Sequence, residues 1–254
     1  MAGILQGKIA LVTGGGSGIG RATALLLAKE GAKIMIADYV PEGAERTVKM
    51  IKEAGGEASC LAADVAVTKQ VELMVNKTVE TYGRLDCAFN NAGIEGAMGA
   101  DTAACTEENF DRVIAIDLKA VWLCMKYEIP QMLKQGGGTI VNTASIAGLL
   151  GFPGAPAYVA AKHGVVGLTK TAALEYAQKN IRVNCVCPGV IRTPMVERVF
   201  DKGGMSEADV IMGEPIGRLG QPEEIAAGVL WLLSDAASFV TGHPLTIDGG
   251  WIAR

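Results

Sequence analysis

The sequence predicts an α/β fold, a doubly wound parallel sheet of about seven strands with helices on both faces, and three observations carry that prediction. Short aliphatic or β-branched runs alternate with longer helical patterns along the whole 254-residue chain. The strand runs are apolar almost without interruption, as expected of strands buried on both faces. No linker, low-complexity block or repeat of roughly 20–50 residues divides the chain, so residues 1–254 are expected to form one domain.

Each element follows from its own residues. KIALV at 8–12 is the first strand, and helical spacing then runs from about Ile19 to Lys29. KIMIAD at 33–38 is the second strand, before a charged helix over roughly 42–54. EASCLAADV at 57–65 leads into a helix from about Lys69 to Tyr82. LDCAFNNAG at 85–93, GTIVNTAS at 138–145 and IRVNCVCPG at 181–189 continue the alternation, and HPLTIDGG at 243–250 ends it. Right-handed crossovers wind such a sheet in both directions and leave ligand sites at the carboxyl ends of its strands. The segment from Ile191 to Gly220, rich in Met, Gly and charge, breaks the rhythm at one such end. It reads as a substrate lid with short helices of its own, or as a variable surface loop.

Half the residues are hydrophobic and a fifth are charged, which places the chain among soluble globular proteins rather than disordered ones. A net charge of −4 gives no support to a nucleic-acid or anionic-membrane partner. The N-terminal stretch has no long apolar core of a secretory signal, and no apolar run reaches the ~18 residues of a spanning helix. A cytoplasmic location is the default expectation. None of the six cysteines forms a CxxC pair, so free thiols in a reducing compartment are expected. Cys185 and Cys187 flank one strand residue and therefore share a face, the core side. His163 and His243 have no ligand-spaced partners, and no metal is expected.

The first strand runs into TGGGSGIGRATA at 13–24. Glycines there let the backbone turn tightly and approach a pyrophosphate, whose charge a helix N-terminus favours. The candidate loop comprises Gly14, Gly16, Ser17, Gly18, Ile19 and Gly20, spaced Gly14-x-x-x-Gly18-x-Gly20 rather than as the strict G-x-G-x-x-G fingerprint. A glycine-rich turn also serves plain strand–helix geometry. The second strand ends at Asp38, placed to accept hydrogen bonds from an adenosine ribose and to repel a 2′-phosphate. Tyr39, Val40 and Pro41 follow with no basic residue, and Ser17 occupies the loop position where one would hold that phosphate, so NAD is expected over NADP. An Asp at a strand end also suits capping of the next helix. Asp64 and Val65 close the third strand, where a carboxylate can meet the adenine amino group. Asn90, Asn91, Ala92 and Gly93 close the fourth beside the cofactor, although Asn and Gly suit ordinary corners too.

Tyr158 and Lys162, four apart in AYVAAKHGVVGLTK, share one helix face. Carbonyl reduction needs a proton delivered as hydride arrives, and a free tyrosine near ~10 must fall by about three units, or ~4 kcal/mol, to work at neutral pH. A lysine cation ~5 Å away supplies roughly 3 kcal/mol at an effective dielectric of ~20. An oxidised nicotinamide ring adds further positive potential. Ser145, thirteen residues before Tyr158, can polarise and orient the substrate oxygen. Singly, the three also read as a half-buried aromatic, a solvated charge and a helix cap.

In order and spacing, TGGGSGIG, NNAG, Ser145, YVAAK and PGVIRT at 188–193 resemble the short-chain dehydrogenase/reductase family over essentially the whole chain. The resemblance implies a Rossmann-type domain, Tyr158 as general acid/base, and Lys162 as its electrostatic partner and ribose ligand. It also implies Ser145 as substrate orienter, Pro188, Gly189, Val190 and Thr193 near the carboxamide, and a homotetramer. One position departs: Asp117 stands where the family usually has Asn, which holds a helix kink and a water linked to the lysine. Asp117 is expected to anchor a proton relay with altered pH dependence, or to be a harmless replacement. Phe152, Pro153, Met195, Val199, Phe200 and Met205 are candidate walls of an apolar substrate pocket, with Phe152 and Met195 foremost. The expected activity is NAD(H)-dependent interconversion of a secondary alcohol and a ketone. The alternatives are an NADPH-dependent 3-oxoacyl thioester reductase and a catalytically silent nucleotide-binding regulator.

Overall fold

A computed structural model describes residues 3–201 and 206–253. Seven parallel strands form one sheet: β1 (Ile9–Thr13), β2 (Lys33–Asp38), β3 (Ala58–Ala62), β4 (Cys87–Asn90), β5 (Gly138–Thr143), β6 (Ile181–Pro188) and β7 (Pro244–Ile247). Their spatial order is β3-β2-β1-β4-β5-β6-β7, so the winding direction reverses between β1 and β4. A doubly wound sheet opens its ligand crevice at that reversal.

The two-residue alternation of a strand explains why these runs are apolar throughout. Ala10 and Val12 of β1, with Ile34 and Ile36 of β2, face one core layer with Leu27, Ile51, Ile225 and Val229. Leu11, Met35 and Ala37 face the other, with Val71, Met74, Val121, Met132 and Val165. The first layer is covered by α1 (Gly18–Lys29), α2 (Pro41–Glu53) and α9 (Pro222–Leu233). The second is covered by α3 (Thr68–Tyr82), α5 (Ala120–Lys134) and α6 (Pro156–Tyr176). Cys185 and Cys187 both lie in this second layer, and all six cysteines are free.

The strands are shorter than the apolar runs suggested. β3 stops at Ala62 and β4 at Asn90, because Asp64, Asn91 and Gly93 leave the ladder to form crevice loops. Between β4 and β5, α4 (Glu107–Val113) runs through a π-helical turn at Ile114–Lys119 into α5. Thr106 caps α4, its hydroxyl accepting from Asn109 N at 3.2 Å. The segment after β6 carries α7 (Pro194–Asp201) and α8 (Glu207–Gly213), the short helices its composition suggested. Among the described residues, no helix is long and apolar enough to cross a membrane.

Candidate active site

One cavity of about 510 Å³ follows the carboxyl ends of the strands. At its β1 end Gly14, Ser17, Gly18 and Ile19 form the wall where α1 begins. Gly14 has φ +64°, and a β-carbon there would stand 2.9 Å from Ala92 Cα, so the turn and the NNAG loop can touch only at glycine. Asn91 fastens the two loops together, its side-chain amide donating to the carbonyls of Thr13 and Gly14 at 3.2 and 3.3 Å. Asp38 and Tyr39 line the next stretch, then Asp64 and Val65. Both Asp38 oxygens accept from backbone, Oδ2 from Gly16 N at 2.7 Å and Oδ1 from Val40 N at 2.9 Å. The carboxylate is thus held rigidly at the cavity wall while closing its own turn. Arg21 lies nearby, its fork committed to the Gly16 carbonyl and the Thr47 hydroxyl.

At the other end Ala92, Gly93, Asp117, Ser145, Tyr158 and Lys162 meet, with Pro188, Gly189, Thr193 and Met195 opposite. Ser145 opens a short turn at Ile146–Gly148, its Oγ accepting from Ala147 N at 3.1 Å, and it also hydrogen-bonds Tyr158. It therefore caps and faces the site at once. Lys162 Nζ donates to Thr143 O at 3.2 Å and lies 5.3 Å from the centre of the Tyr158 ring. The π-helical turn projects Asp117, wholly buried, to within 3.0 Å of that ammonium. The contact lacks hydrogen-bond alignment at Oδ2, while Oδ1 accepts from Ile94 N at 2.9 Å. The departing residue therefore ties the post-β4 loop to Lys162.

The charges around Tyr158 act in opposite directions. Burial raises the phenol above its ordinary value; Lys162 pulls it down, and Asp117 and Glu95 push it up. The net direction is upward, opposite to the fall the Tyr–Lys spacing suggested, because burial was absent from that sum and Asp117 offsets the lysine. Burial alone would lower Lys162, but Asp117 and Tyr158 outweigh it and the ammonium ends above its ordinary value. Burial also raises Asp117, against the pull of Lys162 and the Ile94 N–H.

Several expected residues, Asn90 among them, do not line this cavity. Gly16 packs against Asp38, and Gly20 lies so close to Gly14 that a β-carbon would fall 2.1 Å from its carbonyl oxygen; both shape the turn from behind. Val190 faces a separate void of about 60 Å³, and Phe152 sits in the loop before α6, its carbonyl accepting from Ala155 N. Of the remaining apolar candidates, Pro153, Val199 and Phe200 are likewise not among the walls, and Met205 lies outside the described residues. Ile94, Arg112, Ile116, Val196 and Arg198 line the cavity without having been singled out from the sequence. Ile94 follows NNAG directly, and Arg112 and Ile116 precede Asp117 on the same helix; that adjacency was the available signal.

A family model described as Enoyl-(Acyl carrier protein) reductase matches residues 14–252, nearly the whole chain. The chain belongs to the short-chain dehydrogenase/reductase family. Within it, cyclohexanol dehydrogenase from Acinetobacter sp. (strain SE19) is 49% identical, the match covering 97% of this chain and 96% of the relative. A 2,5-dichloro-2,5-cyclohexadiene-1,4-diol dehydrogenase from Sphingobium indicum is 46% identical, with 98% of each chain covered. A 3-oxoacyl-[acyl-carrier-protein] reductase from Thermotoga maritima is 43% identical over 98% of this chain and 99% of that one. Among solved structures, levodione reductase superposes with a TM-score of 0.95 at 43% identity, covering 98% of this chain and 99% of that one. The short-chain dehydrogenase/reductase fold is thus shared from end to end.

Proposed function

We propose that this chain is an oxidoreductase that interconverts a six-membered cyclic secondary alcohol and its ketone with NAD(H), using Tyr158 as general acid/base. The observation that carries the reading is that Ser145, Tyr158 and Lys162 wall the same cavity as the α1 N-terminus and Asp38. An anion-favouring helix start, a fixed carboxylate and a cation beside a phenol suit a nicotinamide dinucleotide. Bound in oxidised form, the nicotinamide supplies a hydride-accepting ring and a positive charge near the phenol. Tyr158 takes the alcohol proton at its phenol oxygen during oxidation and returns it during reduction. Ser145 orients the substrate oxygen toward that phenol. Lys162, fixed by Thr143 O and Asp117, keeps a cation beside the ring and offers its ammonium to a ribose.

Asp38 supports NAD, because a 2′-phosphate would meet a carboxylate, and the nearby Arg21 fork is already occupied. The ring size rests on the relatives named for cyclohexanol and a cyclohexadienediol, and Ile94, Ile116, Met195 and Val196 provide an apolar wall for it. The segment from Ile191 to Gly220 serves as the substrate side, in a cytoplasmic homotetramer. A carrier-protein thioester reductase is the second reading, favoured by the Thermotoga maritima relative. A silent regulator would not need Ser145, Tyr158 and Lys162 together.

An absorbance assay at the NADH band decides among these, with cyclic and linear secondary alcohols, their ketones and a 3-oxoacyl thioester, each with both nucleotides. Cyclic substrates with NAD(H) are expected to turn over fastest, and Tyr158→Phe is expected to lose about 10²–10⁴-fold in kcat while still binding NADH. Faster thioester reduction with NADPH would establish the second reading instead, and full activity of Tyr158→Phe would remove the phenol from the mechanism.

A further inference from the structure

Strands β6 and β7 run parallel with Pro188 opposite Ile247, so Gly189 and Asp248 leave the ladder side by side. Gly189 N donates to Ile247 O at 3.0 Å, and a β-carbon on Gly189 would stand only 2.8 Å from Asp248 Cα. Any larger residue at 189 would push the two chains apart. The same stretch faces the cavity, which Pro188, Gly189 and Ile191 line. Asp248 is not a wall of that cavity; it borders the void of about 60 Å³ beyond it. Its carboxylate closes the turn that follows β7, Oδ1 accepting from Gly250 N and Oδ2 from Ile252 N, both at 2.9 Å. Hydrogen bonds to an ionised acceptor are stronger than neutral ones, so this turn is a firm support.

The turn also meets the limb that returns from α8. Gly249 has φ +62°, and a β-carbon there would fall 2.7 Å from Ile216 Cγ2. That limb rejoins the cavity wall at Gly220, whose N–H donates to Val190 O at 3.0 Å while its carbonyl accepts from Arg192 N at 2.9 Å. One carboxylate therefore folds a turn that touches the wall at Gly189 and the returning limb at Ile216. We propose that Asp248 is a positioning residue for hydride transfer: through the turn it closes, it braces Gly189 from behind and fixes the Pro188–Ile191 wall against the nicotinamide ring. The inference rests on the proposed dinucleotide reading. Asp248 acts only through Gly189 and its neighbours. Without it the wall gains slack at the Ser145–Tyr158–Lys162 end, whereas the far end, lined by Gly14, Asp38 and Asp64, has no contact with this turn.

The test compares the Kd of NADH with that of ADP-ribose, which carries the adenosine and the pyrophosphate but no nicotinamide, by titration calorimetry. Asp248→Ala is expected to weaken NADH about tenfold and ADP-ribose by less than about twofold. Asp248→Asn keeps an oxygen for Gly250 N but offers no second acceptor to Ile252 N, so its loss of NADH affinity is smaller, about threefold. A loss confined to NADH, and partly rescued by Asn, is what bracing of the nicotinamide wall produces; general loosening weakens both ligands alike. Equal weakening of the two ligands overturns the inference, and so does an NADH affinity that Asp248→Ala leaves unchanged. If Asp248→Ala does not fold, Asp248→Asn decides by the same criterion. A parent protein that binds neither ligand refutes the dinucleotide reading itself, and the inference falls with it; the unsubstituted chain thus tells the two failures apart.

Discussion

Asp117 places a full negative charge 3.0 Å from Lys162 in a site with almost no water contact. An amide in its place would leave the lysine cation uncompensated. Since Asp117 raises both Tyr158 and Lys162, Asp117→Asn should lower the phenol's midpoint. In the proposed mechanism oxidation uses the phenolate, so its rate would rise with pH through that midpoint, and the profile of kcat for alcohol oxidation is expected to move to lower pH by up to about one unit. An unchanged profile would mean that Asp117 merely fills space. Tyr158, Lys162 and Ser145 were legible in the sequence because helix spacing and a short strand-to-helix distance bring them together. Asp248 was not, because it meets Gly189 only once the sheet sets Pro188 beside Ile247. The direction of Tyr158 was also beyond the sequence, since a charge sum without burial omits the largest influence on it.

Helix α5 is welded to the sheet by a polar contact inside its apolar face. Glu128, completely buried, accepts from Asn90 Nδ2 at 3.0 Å, and the same amide donates to Asn142 Oδ1 at 3.0 Å. Asn142 in turn donates to Thr169 on α6 at 3.0 Å, so this network joins β4, β5, α5 and α6. Among the described residues, Glu128 Oε1 and Asn90 Oδ1 have no hydrogen-bond partner. Burial pushes Glu128 from 4.5 up to about 7. The folded state therefore holds this proton more tightly than the unfolded chain, and ionisation weakens folding. The cost is absent below about pH 4.5 and complete above about pH 7, on the order of 3 kcal/mol. Glu128→Gln should be more stable than the parent at pH 8 by up to that amount, with the advantage shrinking toward zero near pH 4.5. Urea denaturation at pH 5, 6.5 and 8 measures it, and an advantage that does not change with pH would remove the titration from the explanation. Helix α5 was less legible than the strands: its polar anchor becomes visible only once strand order sets Asn90 beside Asn142.

At the scale of the whole molecule, the strand and helix alternation was readable because buried parallel strands must be apolar on both faces. The order of the strands came from the crossovers, and it creates a cavity spanning β3 to β6 that no single motif describes. A dinucleotide in that cavity would touch both halves of the sheet, so binding should stabilise the fold as a unit. At 100 times its Kd, a ligand that binds only the folded state adds about 2.7 kcal/mol. For a chain of this size, that corresponds to a rise in Tm of roughly 5–10 °C. NADH at that excess is expected to produce the rise, and NADPH at the same concentration a much smaller one, because in the proposed binding mode a 2′-phosphate would meet Asp38, whose two oxygens are fixed by backbone. Asp38→Ser removes the charge and should narrow the gap by weakening NADH and admitting the 2′-phosphate. Protein concentration must be held constant across the scans, since subunit assembly shifts Tm by the same mass action. Equal shifts by the two nucleotides in the parent protein would refute the NAD preference while leaving the fold and the Ser145–Tyr158–Lys162 site untouched.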